Sequence, residues 1–281
     1  MSPARLCPVD APRRHLRYTP AMPIIERPAP GNFCWSELVT SHQPDAKRFY
    51  MELFGWTAND MPMGANDFYT MFQLEGRDVG AAYTLRPEMV KQGVPAHWGL
   101  HVAVASADDS AARAASLGAK VLAPAFDVYD AGRMAVFVDP TGATLSLWQA
   151  KRNVGFGISG VPGSFCWADL MTPDPQGAAK FYSGLFGWKL ETGQGGDYLH
   201  IKNGEEFIGG IPPAGSAGPG VPPHWSLYFQ VTDCDASATK ARALGAAIHM
   251  PPTTAEGVGR WAVLADPQGA AFSVFQPLPR A

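Results

Sequence analysis

The sequence predicts an α+β protein made of two copies of one domain. Each copy holds two βαβββ modules whose curved, mixed sheet forms a cup with the helices outside. Three observations carry this. Residues 31–56 laid over 163–188, an offset of 132, agree at 13 of 26 positions, opening on Phe-Cys-Trp and closing on Leu-Phe-Gly-Trp in both. Residues 132–149 laid over 259–276, an offset of 127, agree at 10 of 18. Within each copy, strand-like and helix-like periodicities alternate, and the sequence of elements then begins again. A unit of about 120 residues is a domain, far longer than a solenoid repeat. The expected boundaries are a disordered tail over 1–30, a first domain over 31–150, a linker over 151–162 and a second domain over 163–277. Gly155, Gly157 and Gly160 mark the linker as flexible chain.

Taken in order, 33–40 reads as a strand, and 44–54 as a helix with Ala46, Phe49, Tyr50 and Leu53 on one stripe and Gly55 as its stop. A short strand starts at Trp56. Two more follow over 68–74 and 79–84, around the turn-forming Glu75-Gly76-Arg77-Asp78. The second module has a strand over 98–104, a helix over 108–117 ended by Gly118, a short strand near Val121 and a hairpin over 133–149. The hairpin turns are Asp139-Pro140-Thr141-Gly142 and, in copy two, Asp266-Pro267-Gln268-Gly269, with Pro presetting φ and Gly in fourth place.

Composition narrows the function. A net charge of −3, with no basic block beyond the extreme N-terminus, argues against a nucleic-acid partner. Cys7, Cys34, Cys166 and Cys234 show no CxxC spacing, so a reducing, cytoplasmic setting is expected rather than a disulfide framework or a zinc knuckle. Arg5, Arg13, Arg14 and Arg17 stand in a segment without the apolar run of a secretory signal, and no stretch is long and apolar enough for a membrane span. Met22 precedes a Pro-rich approach to the first repeat, so the preceding segment reads as a tail or an over-long start.

The four βαβββ modules, the Phe49-Tyr50…Leu53-Phe54-Gly55-Trp56 run and the Asp-Pro-x-Gly hairpin resemble the vicinal oxygen chelate superfamily of glyoxalases, bleomycin-resistance proteins and extradiol dioxygenases. The Trp-x-x-Leu opening and the Gly-Arg…Asp-Pro-x-Gly-Ala ending are similar to a two-domain actinobacterial branch described as glyoxalase-like or hydroxylase-like. The resemblance covers about residues 31–277 and implies a tandem glyoxalase-like fold. It also implies metal-ligand places on the first strand of each module and near each module's end. These fall on Trp35 and Trp167, on Gly99 and Ser226, on Ser146 and Ser273, and near Ala81 and Gly210. None is an imidazole or a carboxylate, so no metal and no cofactor is expected.

Polar groups nevertheless gather on the concave face. On the fifth strand Trp98, Leu100, Val102 and Val104 share the helix-covered face, leaving His97, Gly99 and His101 toward the cup. In copy two His224, Ser226, Tyr228 and Gln230 do the same. Glu37 and Asp169 share parity with Trp35 and Trp167. A two-residue turn pairing Val138 with Ala143 would set Arg133 opposite Trp148 and Ala135 opposite Ser146, and in copy two Arg260 opposite Phe275. The candidate cup is thus Trp35, Glu37, His97, His101, Arg133, Ser146 and Trp148, with Trp167, Asp169, His224, Tyr228, Arg260, Ser273 and Phe275 in the second copy. Cys34 and Cys166 read as small core residues with helix-facing parity.

Two roles fit these residues. In one, the aromatic side chains stack on a flat small molecule while Arg and His fix its polar edge. In the other, His97 or His224 acts as a general base oriented by Glu37 or Asp169. That would be a metal-independent lyase, isomerase or hydroxylase-like enzyme working on a small carbonyl or aromatic compound, for example in methylglyoxal detoxification. The histidines equally suit capping a loop through backbone hydrogen bonds, and the carboxylates suit ion pairs with Arg133 and Arg260 that hold the sheet.

Overall fold

A computed structural model describes residues 27–64, 67–192 and 196–278. Most of the expected tail, residues 1–26, lies outside them. Copy one runs β1 (Phe33–Thr40), α1 (Gln43–Phe54), β2 (Thr57–Pro62), β3 (Phe68–Leu74), β4 (Arg77–Thr84), a short α2 (Pro87–Lys91), β5 (His97–Ala103), α3 (Ala107–Ser116), β6 (Lys120–Val128), β7 (Gly132–Val138) and β8 (Thr144–Ala150). Copy two repeats it as β9 (Phe165–Met171), α4 (Pro175–Phe186), β10 (Lys189–Thr192), β11 (Leu199–Asn203), β12 (Glu206–Ile211), β13 (His224–Gln230), α5 (Cys234–Ala243), β14 (Ala247–Ala255), β15 (Gly259–Ala265) and β16 (Ala271–Pro277). The helix α2 has no counterpart in the sequence reading, and β6 is longer than the short strand expected there.

Each copy builds its own eight-stranded mixed sheet, in the orders β2-β3-β4-β1-β5-β8-β7-β6 and β10-β11-β12-β9-β13-β16-β15-β14. The first strands of the two modules, β1 and β5, lie antiparallel at the centre, so modules pair within a copy. Helix α1 forms because Pro44 presets its first turn and Gly55, at φ +74°, closes it in a left-handed conformation that a side chain resists. Its stripe of Ala46, Phe49, Tyr50 and Leu53 is buried, and each large apolar side chain so covered contributes about 1.5–3 kcal/mol.

The non-cup faces of the two sheets meet. Trp98 of β5 packs on Phe229 of β13 at 5.4 Å, and Phe54 and Trp56 at the end of α1 reach the same ring at 4.9 and 5.3 Å. Polar contacts cross the seam in pairs. Tyr50 donates to the Asp266 carboxylate (3.1 Å) and Tyr182 to the Asp139 carboxylate (2.8 Å). Trp56 Nε1 donates to the Gly163 carbonyl, and Trp188 Nε1 to that of Gly31. The turn aspartates thus do two tasks: Oδ1 of each ties its own hairpin loop, and Oδ2 receives the other copy's tyrosine.

The segment expected to be a flexible linker is a packed strap. Phe156 and Ile158 are fully buried, and the Phe156 amide donates to the Cys34 carbonyl (2.8 Å). A Cβ on Gly155 would collide with that carbonyl, so the glycine there serves close approach rather than flexibility.

Candidate functional site

Pairing decides which side chains enter the cup. Trp35 lies opposite His101, and Glu37 opposite Gly99. His101 lies beside Ser146, and Ala103 beside Trp148, on β8. Trp35, Glu37, His101, Ser146 and Trp148 therefore share the concave face. Copy two matches it: Trp167 opposite Tyr228, Asp169 opposite Ser226, Tyr228 beside Ser273, Gln230 beside Phe275. Cys34 and Cys166 are the extra residues of β-bulges in β1 and β9, which turn Phe33 and Phe165 back toward the seam. Their thiols donate to the carbonyls of His101 and Tyr228, so both belong to the sheet's framework rather than to a simple helix-facing row.

Arg133 and Arg260 are not in the cups. The hairpin closes as a longer loop in which the Asp139 amide donates to the Ala143 carbonyl and Val138 pairs with Thr144. That shifts the register by one residue, placing Arg133 opposite Gln149 and setting Val136, not Ala135, opposite Ser146. Arg260 likewise pairs with Gln276. On the helix-covered face Arg133 makes two bonds to Asp108 in the first turn of α3 (2.7 and 2.9 Å), and Arg260 makes two to Asp235 of α5 (2.6 and 2.8 Å). The expected pairs of Arg133 with Glu37 and of Arg260 with Asp169 do not form.

His97 and His224 stand on the cup face at its rim. Their Nδ1 atoms lie 2.8 and 2.9 Å from the carbonyls of Pro95 and Pro222, the loop-capping arrangement. His97 pairs with Val39, one step beyond Glu37. The histidine that approaches Glu37 is His101, with Nε2 3.7 Å from Oε2. Burial lowers its pKa, partly opposed by the Glu37 charge, so the ring is neutral near neutral pH. Its Nδ1 is buried with no hydrogen-bond partner at good distance and angle among the described residues, although the Trp35 backbone acts on the ring as an acceptor.

The structure adds two tyrosines. Tyr69 of β3 donates to Glu37 Oε1 (2.5 Å) and accepts from Trp35 Nε1 (2.9 Å). In copy two Tyr198 donates to Asp169 Oδ1 (2.6 Å) and accepts from Trp167 Nε1 (2.9 Å). Each cup thus carries one Trp–Tyr–carboxylate chain at equivalent positions. The cups differ at the next residue. Tyr228, standing where copy one has His101, donates to Asp169 Oδ2 (2.8 Å), so both oxygens of that carboxylate are engaged. Burial raises the Asp169 pKa against the three donors that lower it. Glu37 keeps an oxygen whose nearest ring nitrogen is beyond hydrogen-bond distance, and its side chain is 17% exposed.

The floor of the first cup is filled, whereas Trp167 and Phe275 of the second are only partly buried. Trp35 and Trp148 are 3% and 7% exposed, and Gly132 makes room for Trp148, whose ring a Cβ there would overlap. Concavities of about 120 and 140 Å³ lie elsewhere, beside α1 and beside Pro213–Pro223, below the size of a ligand pocket. In copy one Tyr69 and Tyr83, both half-buried, share the face of Glu37 and line the mouth of the cup. The donor set does not suit a metal ion: among the described residues no three His, Cys, Asp or Glu side chains converge, and indole rings occupy the first-strand places.

Comparison with known proteins agrees with the fold. The Glyoxalase/Bleomycin resistance protein/Dioxygenase superfamily model matches residues 33–147, and a Glyoxalase-like domain model matches 166–275. The chain is 41% identical over 252 residues to "Putative glyoxylase CFP32" of Mycobacterium tuberculosis, covering 88% of this chain and 95% of that one. It is 34% identical over 267 residues to the anthracycline biosynthesis protein DnrV of Streptomyces peucetius, covering 90% and 95%. In fold it is similar to the Mn(II)-bound glyoxalase from Novosphingobium aromaticivorans, with TM-score 0.63, 16% identity and coverage of 89% and 83%. It is also similar to the 2,3-dioxygenase LapB from Pseudomonas sp. KL28, with TM-score 0.61, 15% identity and coverage of 88% and 93%.

Proposed function

The chain belongs to the Glyoxalase/Bleomycin resistance protein/Dioxygenase superfamily, and from that premise we propose that its first cup binds a small aromatic molecule without a metal ion. One observation carries this. A buried hydrogen-bonded chain of Trp35, Tyr69 and Glu37 stands beside His101, whose Nδ1 has no well-placed partner among the described residues, under a mouth lined by the parallel rings of Tyr69 and Tyr83. A buried polar atom without a partner costs about 1–3 kcal/mol unless something supplies one, and a ligand or a water that a ligand displaces would do so. The naming of two relatives for anthracycline biosynthesis supports a flat aromatic ligand. Calorimetric titration of the EDTA-treated full chain with an anthracycline is expected to give saturable binding, with substoichiometric zinc, nickel, iron and manganese by elemental analysis. A stoichiometric metal whose removal abolishes binding would overturn the proposal.

The approach of His101 to Glu37 favours a second reading, acid–base turnover in the same cup. A neutral imidazole whose Nε2 faces Glu37 would be oriented through that nitrogen and would take a proton at Nδ1. The relatives named glyoxylases make methylglyoxal the first substrate to assay. Turnover that survives EDTA and is lost in both Glu37→Gln and His101→Gln would establish this reading; no turnover leaves a binding module.

A further inference from the structure

We propose that the first cup selects ligands presenting an ammonium or another hydrogen-bond donor and rejects those presenting a carboxylate or phosphate. This rests on the reading of that cup as an aromatic-binding site, and it adds the charge of what is bound. Glu37 is the one charged side chain among the residues of the cup floor. Its neighbours there, Trp35, Tyr69, Trp148 and the buried His101, are neutral. Among the described residues its sole contact with a basic side chain is the 3.7 Å approach of His101.

The arginine that the repeat pattern would set inside is committed to Asp108 on the other face of the sheet. Arg86, whose charge reaches Tyr83, is solvent-exposed.

The acceptor side is incomplete. Glu37 Oε1 is taken by Tyr69, while Oε2 has no donor within hydrogen-bond distance among the described residues. A ligand N–H reaching Oε2 would make a charge-assisted bond, stronger than its neutral counterpart. The Tyr69 and Tyr83 rings, 6.4 Å apart and 19° from parallel, offer π faces at the same mouth, which attract a cation and repel an anion. A ligand carboxylate reaching Glu37 would meet its charge where water is largely displaced, and the described basic group at the mouth, Arg86, stands out in solvent beside Tyr83.

Two probes sharing one ring separate charge from stacking: tryptamine, which carries an ammonium, and indole-3-acetate, which carries a carboxylate. Neutral 3-methylindole reports on the ring alone. In calorimetric titrations of the full chain near neutral pH, tryptamine is expected to bind about tenfold or more tightly than indole-3-acetate. Glu37→Gln should bring the two affinities together. Added salt should weaken tryptamine and leave 3-methylindole unchanged, a test on the parent protein that stands even if the variant does not fold. Indole-3-acetate binding as tightly as tryptamine would overturn the charge selection while leaving aromatic binding intact. If none of the three binds, aromatic binding falls, and the selection with it.

Discussion

Arg133 and Asp169 show how one residue of register redistributes charge. Arg133, with Asp108 at the start of α3, forms an exposed pair of the kind that adds little to stability. Arg133→Ala is therefore expected to leave ligand affinity unchanged within error while loosening the α3–β7 contact; a clear loss of affinity by calorimetry would return Arg133 to the cup. Asp169 is the reverse case, a buried carboxyl held above its ordinary value of 3.8 because burial disfavours its charge. A raised folded-state pKa means that the stability it contributes is complete below pH 3.8 and is lost as the pH rises through the shifted value. Asparagine keeps an acceptor for Tyr198 and Trp167 but does not titrate. Asp169→Asn should therefore gain on the parent protein as the pH rises from about 4 to about 8 in urea denaturation. A pH-independent difference would mean that Asp169 is charged throughout.

At the scale of elements, the strap over 151–162 reads as flexible chain because its three glycines outweigh four apolar residues, of which Phe156 and Ile158 are buried. Gly155 and Gly157 lie close against neighbouring chain so that Phe156 can stack on Phe165 (5.1 Å) and meet Trp35 (5.6 Å). Phe156→Ala is expected to cost about 3–5 kcal/mol in urea denaturation, the range for emptying a buried aromatic site, whereas a flexible linker would lose almost nothing. Other elements were legible for physical reasons. Period-2 alternation on β5 set Trp98 and Leu100 apart from Gly99 and His101, as the pairing with β1 has it. Tyr69 escaped notice because Phe68–Leu74 carries large side chains on both faces, leaving no alternation to read. The five-residue hairpin loop escaped because Asp139 holds it through its own carboxylate, with bonds to Thr141 and Ala143, so a turn motif identical in both copies fixed the place of the turn but not its length.

For the whole molecule, the repeat told of two cups but could not tell where the core lies. Modules pair within a copy, which would suggest that each half folds alone, yet the faces behind the cups are one shared interior. Phe49 and Tyr50 of copy one pack on Phe272 of copy two at 6.0 and 5.4 Å, and Phe33 reaches Trp188 and Trp225 at 5.6 and 5.2 Å. Lys240 of α5 donates to the Leu53 carbonyl, and Arg113 of α3 to that of Gly184, closing helix ends across the seam. Separating the copies would expose these rings together and strip Asp266 and Asp139 of the tyrosines that satisfy them, two of the larger penalties a folded chain meets. Halves cut between Ala150 and Val161 are thus expected to be insoluble when expressed singly, although each retains a complete sheet. Coexpressed, they should recover a soluble one-to-one complex whose urea midpoint depends on protein concentration, since the seam has become an interface between chains. Light scattering showing a soluble, folded monomer for either half would mean that the seam is a contact between finished domains, and that the paired tyrosine–aspartate bonds only orient them.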